Sequence, residues 1–252
     1  VTFWLSDETI DGFREDKAKL FNKSSAYITP DVIYEDQDIL IMNKPVGMLS
    51  QKADPEDMSL NEHFILWMLD TGRITANDLQ TFKPSVCNRL DRNTSGLICA
   101  GKTMKGLQFL SAGFKDRSFS KYYYCLVCGE MKDGARIKGY LSKDEKTNKV
   151  KITQEAHHNA DAIETAYEPV FHTSKLTLLK VHLITGRTHQ IRAHLASIGH
   201  PVAGDFKYGN DKMNADLKSR YHLKTQLLHS ALLVMPEIEG DFAYLSGKRF
   251  GA

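Results

Sequence analysis

The chain has 252 residues, 42% hydrophobic and 25% charged, which is ordinary globular composition with room for one large domain or two small ones. No run approaches the roughly 18 apolar residues of a membrane span, and no basic-then-apolar signal segment opens the chain. The four cysteines (Cys87, Cys99, Cys125, Cys128) are too sparse for a disulfide framework. The net charge of +2 is unevenly spread: residues 1–70 hold 14 Asp and Glu against 6 Lys and Arg, and residues 172–224 hold 9 Lys and Arg against 3 Asp, with six histidines besides. That basic segment fits a local anionic partner or a solvated lysine-rich surface equally well.

In chain order, Thr2-Phe3-Trp4-Leu5 reads as a short strand, and residues 6–28 are polar without a clear period. We expect residues 1–28 to be a linker and residues 29–252 to form one domain. Val32-Ile33-Tyr34-Glu35 and Ile39-Leu40-Ile41-Met42 flank Asp36-Gln37-Asp38, the pattern of a hairpin. Lys44-Pro45-Val46-Gly47-Met48 then turns the chain. Ser59 and Glu62 match a capping box, with Leu60, Phe64, Trp67 and Met68 at helical spacing and Gly72 beyond the end. Residues 97–100 predict a buried strand. Thr103 predicts a helix cap, with Met104, Leu107 and Leu110 turned inward. Residues 119–127 and 177–183 predict two more strands. The polar stretch 131–160 offers one turn signal, Lys143-Asp144-Glu145-Lys146. Residues 188–198 predict a helix with Ile191, Leu195 and Ile198 inward, ended by Gly199 and Pro201. A last apolar strand covers 227–235. Strands and helices mix without strict alternation, so the fold class is α+β rather than doubly wound.

The chemistry centres on Asn88-Arg89-Leu90-Asp91-Arg92-Asn93-Thr94-Ser95-Gly96. Asp91 lies among arginines, and nearby positive charge favours the ionised form of a carboxylate. It can then serve as nucleophile or base; it can equally serve as a turn residue. Other constellations carry less. Cys125 and Cys128 have no second pair at zinc-finger spacing, and on a strand they point to opposite faces. His189 and His194 are five apart, not the four of a helical zinc motif. His157-His158 lies in a polar segment. No metal site is expected.

Three segments, in order, resemble one family. The stretch around Asp91 is the first. The second is Lys121-Tyr122-Tyr123-Tyr124-Cys125-Leu126-Val127. The third is Leu183-Ile184-Thr185-Gly186-Arg187-Thr188-His189-Gln190-Ile191-Arg192-Ala193-His194-Leu195, continuing through Gly199-His200-Pro201 to Gly204-Asp205. They resemble the ribosomal large-subunit pseudouridine synthases of the RluA, RluC and RluD type, over about residues 30–250. The resemblance implies a mixed, mainly antiparallel sheet, bent around a basic cleft and flanked by helices. Many such synthases carry an S4 RNA-binding domain ahead of the catalytic one, and residues 1–28 would then hold its last strand together with the linker.

The resemblance also implies roles. Asp91 would be the catalytic aspartate, Tyr123 the active-site tyrosine and Arg192 the basic partner of Asp91. Arg89 would fill the place of the flipped-out base. Asn88, Arg92, Lys121, Arg187 and His189 would contact RNA. The family usually has His where this chain has Asn88; Asn still hydrogen-bonds but carries no positive charge. No cofactor is implied. The expected partner is RNA, 23S ribosomal RNA before transfer RNA, and the expected state is a cytoplasmic monomer. A catalytically silent RNA-binding protein on the same fold would lack Asp91, Tyr123 or Arg192. A hydrolase would need a second acid–base group near Asp91, and no carboxylate pairs with it in sequence.

Overall fold

The computed structural model describes residues 27–252 apart from 145, 146 and 148. Its centre is set by β2 (Ile39–Lys44) and β4 (Ser95–Gly101), which pair antiparallel. Successive strand residues point to opposite faces, and here both faces are buried. Leu40, Met42, Ile98 and Ala100 enter one core, while Ile39, Ile41, Leu97 and Cys99 enter another. Burial on both sides is why these segments read as continuous apolar runs rather than alternating ones.

Around them the described strands build one large, open sheet. β1 (Asp31–Glu35) lies at one edge, followed by β2, β4, β10 (Leu228–Val234), β5 (Ser120–Cys128), β9 (Leu176–Leu183), β8 (Asp161–His172), β6 (Ala135–Asp144) and β7 (Lys149–Thr153). Two short strands pair off this path: β3 (Ser85–Val86) on β4 and β11 (Arg249–Gly251) on β10. The β4–β10 pairing is parallel and the other described pairings are antiparallel.

Helices cover the two faces unequally. On the first, α1 (Leu60–Asp70) contributes Phe64, Ile65, Trp67 and Met68, and α4 (Gln190–Ser197) contributes Ile191 and Leu195. Ala193 of α4 also meets Leu141, Val150 and Ile163 of β6, β7 and β8. On the second face, α3 (Met104–Lys115) supplies Leu110, and a 3₁₀ turn (Gly240–Leu245) supplies Phe242 and Leu245. Two further helices, α2 (Asp78–Thr81) and α5 (Asp211–Tyr221), lie in connections. No described helix is long and apolar enough to cross a membrane.

The first hairpin, α1 and the strands around residues 97–100, 119–127, 177–183 and 227–235 stand where their sequence patterns place them. Other details differ. Ser59 precedes α1 but does not cap it through its side chain; its hydroxyl bonds Glu62 directly, so the box closes side chain to side chain. Thr103 does cap α3, accepting from the Gly106 amide at 3.1 Å, yet Met104 is exposed, and it is Gly106 that the first turn packs inward, against the Asp38 backbone. The stretch 131–160 holds the β6–β7 hairpin, and Lys143 and Asp144 of the turn signal end β6. The linker reading of residues 1–28 falls outside the described residues, except that Tyr27 bonds Asp70 at 2.6 Å and the Ile28 amide bonds His63 at 3.1 Å.

Candidate active site

The loop between β3 and β4 is fastened at nearly every second residue. The Asn88 carboxamide accepts from the Cys99 amide at 2.8 Å and donates to the Leu97 carbonyl at 3.2 Å, so it acts as an extra rung against β4. Leu90 is buried, and its amide and carbonyl both bond Ser50 Oγ, at 2.9 and 2.8 Å. The Arg92 carbonyl accepts from the Gly47 amide at 2.9 Å and from Lys44 Nζ at 3.1 Å. Thr94 is buried and accepts from Gln226 at 3.2 Å. With those four positions held, the side chains of Arg89 and Asp91 leave the loop on its free side. Arg89 is exposed and has no hydrogen bond or ion pair among the described residues.

Gly96 closes this segment and no other residue would serve. Its φ is +109°, and a Cβ there would lie 2.2 Å from the Ser230 carbonyl oxygen. Its absence lets β10 approach β4 in the parallel pairing and brings Ser230 beside Tyr123, its partner on β5.

Arg192 on α4 reaches Asp91 from the other side. Its Nη1 donates to Asp91 Oδ2 at 2.7 Å, while Nε and Nη2 donate to the two carboxylate oxygens of Asp205 at 2.7 and 2.9 Å. One guanidinium thus joins two carboxylates, one forked and one single, the geometry in which Arg is strongest. The Arg192 side chain is 8% exposed, Asp205 0% and Asp91 25%. Asp91 is therefore the member open to solvent. Burial works against the charge of Arg192, but Asp205 and then Asp91 outweigh it and raise its pKa. Burial likewise opposes the Asp205 charge, and Arg192 with the Lys207 and Tyr208 amides turns the balance, leaving its carboxyl below the usual range.

Asp205 is held by a small scaffold of its own. The Asn214 side chain of α5 accepts from the Gly204 amide at 2.8 Å and donates to the Asp205 carbonyl at 2.9 Å. Tyr208 closes the turn: its hydroxyl accepts from the Val150 amide and bonds His189 Nδ1, each at 2.9 Å. The Arg192 guanidinium carbon stands 5.2 Å from the Tyr208 ring centre. His189 sits in the left-handed region just before α4, with φ of 55°, and its Nε2 is 3.9 Å from Asp91 Oδ1. Burial lowers its pKa, against the pull of the Asp91 charge. Gln190 fixes this helix start by bonding Thr185, the Arg187 amide, Thr165 and the Glu164 carbonyl.

Tyr123 completes the group. It is buried on β5, and burial pushes its phenol up to about 12; a hydrogen bond with Ser230 opposes the shift and the Asp91 charge adds to it. Asp91, Tyr123, Arg192 and His189 thus converge. The remaining residues singled out in sequence lie differently. Arg187 pairs with Asp161 at 2.9 Å, and both side chains are largely exposed. Lys121 is buried two residues from Tyr123, its ammonium 5.9 Å from the Phe114 ring centre. The Arg92 side chain is exposed. Cys125 and Cys128 are both buried and unpaired, and no group of three or more His, Cys, Asp or Glu among the described residues is placed to hold a metal. A separate depression of about 340 Å³, lined by Gln37, Arg73, Asp78, Lys102 and Met104 among others, contains none of the converging residues.

Sequence reasoning missed Lys44, Asp205, Tyr208 and Ser230. Lys44 is fully buried, and its ammonium donates to the carbonyls of Pro45, Met48 and Arg92 at 2.9, 2.8 and 3.1 Å. It ties the end of β2 to the Asp91 loop. Burial lowers its pKa to about 8, with the Asp91 charge pulling the other way. The signal for Lys44 was its place in Lys-Pro-x-Gly, for Asp205 its place at the end of the third segment, and for Tyr208 its place just after it.

A buried arginine fork presents one aspartate beside a buried tyrosine, on a large, mainly antiparallel sheet. The comparisons with known proteins identify the class. The family model for RNA pseudouridylate synthase matches residues 38–197, and the chain belongs to that family. It is 29% identical over 97% of its length to ribosomal large subunit pseudouridine synthase D of Borreliella burgdorferi, covering 71% of that protein. It is 32% identical over 79% of its length to ribosomal large subunit pseudouridine synthase C of Vibrio vulnificus, covering 59% of that protein. The fold matches the solved structure of human RNA pseudouridylate synthase domain containing 1 with a TM-score of 0.65 at 22% identity, over 82% of this chain and 79% of that one. Asp205 and Tyr208 lie beyond the segment that the family model matches.

Proposed function

We propose that this protein isomerises uridine to pseudouridine in RNA, with large-subunit ribosomal RNA as its substrate. The observation that carries the reading is the Asp91–Arg192–Asp205 bridge beside Tyr123. It joins the first signature segment to the third, with Tyr123 of the second beside it, within a chain of this family. The names of the relatives favour ribosomal RNA.

The reaction breaks the N1–C1′ bond, turns the uracil and joins C5 to C1′. C5 loses a proton and N1 gains one, so there is no net redox change. Asp91 is the reacting carboxylate, either as nucleophile at C1′ or at C6, or in assisting base loss through a glycal. Arg192 orients it through a charge-assisted bond. Burial holds Tyr123 as a neutral phenol, which suits stacking on uracil and hydrogen bonding at the sugar better than standing as an anionic base. A stacked uridine is out of reach, so it must leave its helix. Arg89, exposed beside Asp91, fills the vacated place. Asn88 gives its polar atoms to β4 and contributes to RNA binding by shaping the loop. Arg92, Arg187 and His189 complete the RNA-facing set, whereas Lys121, expected there from the resemblance, is buried beside Phe114. The same reading makes the protein a cytoplasmic monomer without a cofactor.

The test is tritium release from large-subunit ribosomal RNA labelled at C5 of uridine, since isomerisation must expel that hydrogen. Wild type should release tritium, and Asp91→Asn should bind RNA but release none. Turnover by Asp91→Asn would overturn the mechanism. Release from transfer RNA alone would move the substrate to that class.

A further inference from the structure

The turn that carries Asp205 also carries Phe206, which is 59% exposed. An exposed phenylalanine is common enough singly; this one is displayed on a rigid mount. Asp205 Oδ1 accepts from the amides of both Lys207 and Tyr208, at 2.8 and 3.1 Å, and so closes a tight turn around residue 206. The turn is anchored on one side by Asn214 and on the other by the Tyr208 hydroxyl. It cannot relax backward either. A Cβ at Gly204 would lie 2.2 Å from the Thr225 carbonyl oxygen, and one at Gly209 would lie 1.9 Å from that of Asp205. The neighbour on one side of Phe206 is the carboxylate that forks Arg192. The neighbour on the other is Lys207, whose ammonium feels the charges of Asp91, Arg192 and Lys149. A flat apolar ring, next to a cation and one residue from the Asp91 network, has the elements of a single-strand nucleic-acid contact: a surface for any base and a charge for the backbone.

We propose that Phe206 is the platform on which an RNA base adjoining the reacting uridine stacks. The proposal rests on the synthase reading above and adds to it a substrate contact outside the segment matched by the family. A base next to a flipped nucleotide loses a stacking neighbour when the uridine leaves. An aromatic ring carried on the turn beside Asp205 would replace that contact.

The experiment titrates the full chain into an oligouridine of about 12 nucleotides with a central 2-aminopurine, whose fluorescence falls on stacking. Wild type, Phe206→Ala, Phe206→Leu and Phe206→Trp are compared, with tritium release from labelled ribosomal RNA measured in parallel. Loss of one base–aromatic stack corresponds to roughly 5- to 150-fold in affinity. Phe206→Ala and Phe206→Leu should weaken binding and quenching within that range, and Phe206→Trp should restore both. In turnover the loss should fall on KM more than on kcat, with Tm unchanged because the ring is exposed. Equal quenching by wild type and Phe206→Ala, or full rescue by Phe206→Leu, would overturn the proposal. So would failure of the wild type to bind either RNA. Phe206-dependent quenching without any tritium release would keep the stack and remove the synthase reading. Release with Phe206-independent quenching would do the reverse.

Discussion

Replacing Asp205 by Asn preserves the side chain's shape and removes its charge. The buried oxygen that receives the Lys207 and Tyr208 amides and Arg192 Nη2 can remain, but an NH₂ group then faces the Nε donor of Arg192. The 2.7 Å bond from Nε is lost, and the 2.9 Å bond from Nη2 to the retained oxygen is no longer assisted by a carboxylate charge, so Asp91 is left as the one anionic partner of Arg192. Removing one partner of a buried ion pair costs about 3–5 kcal/mol. The surviving Asp91 contact places the expected cost near the lower end, about 3 kcal/mol. For a domain of this size that lowers Tm by about 6–12 °C. Turnover should fall as well, because Arg192 would swing toward Asp91 and change its aim; a shift of about 1 Å can cost about 100-fold. Thermal unfolding and single-turnover tritium release measure the two effects. A second variant separates them. Arg192→Met with Asp205→Leu removes the buried charges together, so Tm should recover while activity stays lost. Asp205→Asn with wild-type Tm and rate would refute the view that Asp205 holds the arginine in place.

Arg89→Ala should slow isomerisation more on structured RNA than on a flexible strand, because the structured substrate must be opened. Equal wild-type rates on both would remove the flipping role. Tyr123→Phe bears on pH. The folded pKa of Tyr123 is raised from 10.0 to about 12, so its contribution to stability is complete below pH 10 and is lost as pH rises through about 12. Denaturant unfolding across that interval should show a shallower alkaline loss in Tyr123→Phe than in wild type, and identical slopes would count against the buried phenol.

The candidate-site segments were legible because three of them, in order, resemble one family. Asp91, Tyr123 and Arg192 could be named without knowing that their segments meet. The sheet centre was legible where a run was apolar on both faces, as in β2 and β4. The half formed by β6, β7 and β8 was not, because Arg136, Lys138, Lys149 and Lys151 face outward and dilute the alternation. α5 left no apolar stripe: only Asn214 and Leu217 are buried. Met104 shows the converse error, an apolar residue at helical spacing that faces water. Lys44 escaped notice because lysine is almost never fully buried unless its charge is paired, and its three carbonyl partners are assembled only by the fold. Asp205 was visible as a letter, but nothing in the linear order says that it takes two of the donors of Arg192.

The division of that guanidinium has a consequence for the catalytic cycle. If Asp91 bonds covalently to the sugar or the base, its negative charge disappears until the bond is broken. An arginine held by Asp91 alone would then be stranded as an uncompensated cation in a dry interior. Here Asp205 stays ionised behind it throughout, so the guanidinium is neutralised whatever state Asp91 is in. The aspartate can give up its charge and recover it while the residue that aims it remains where it was.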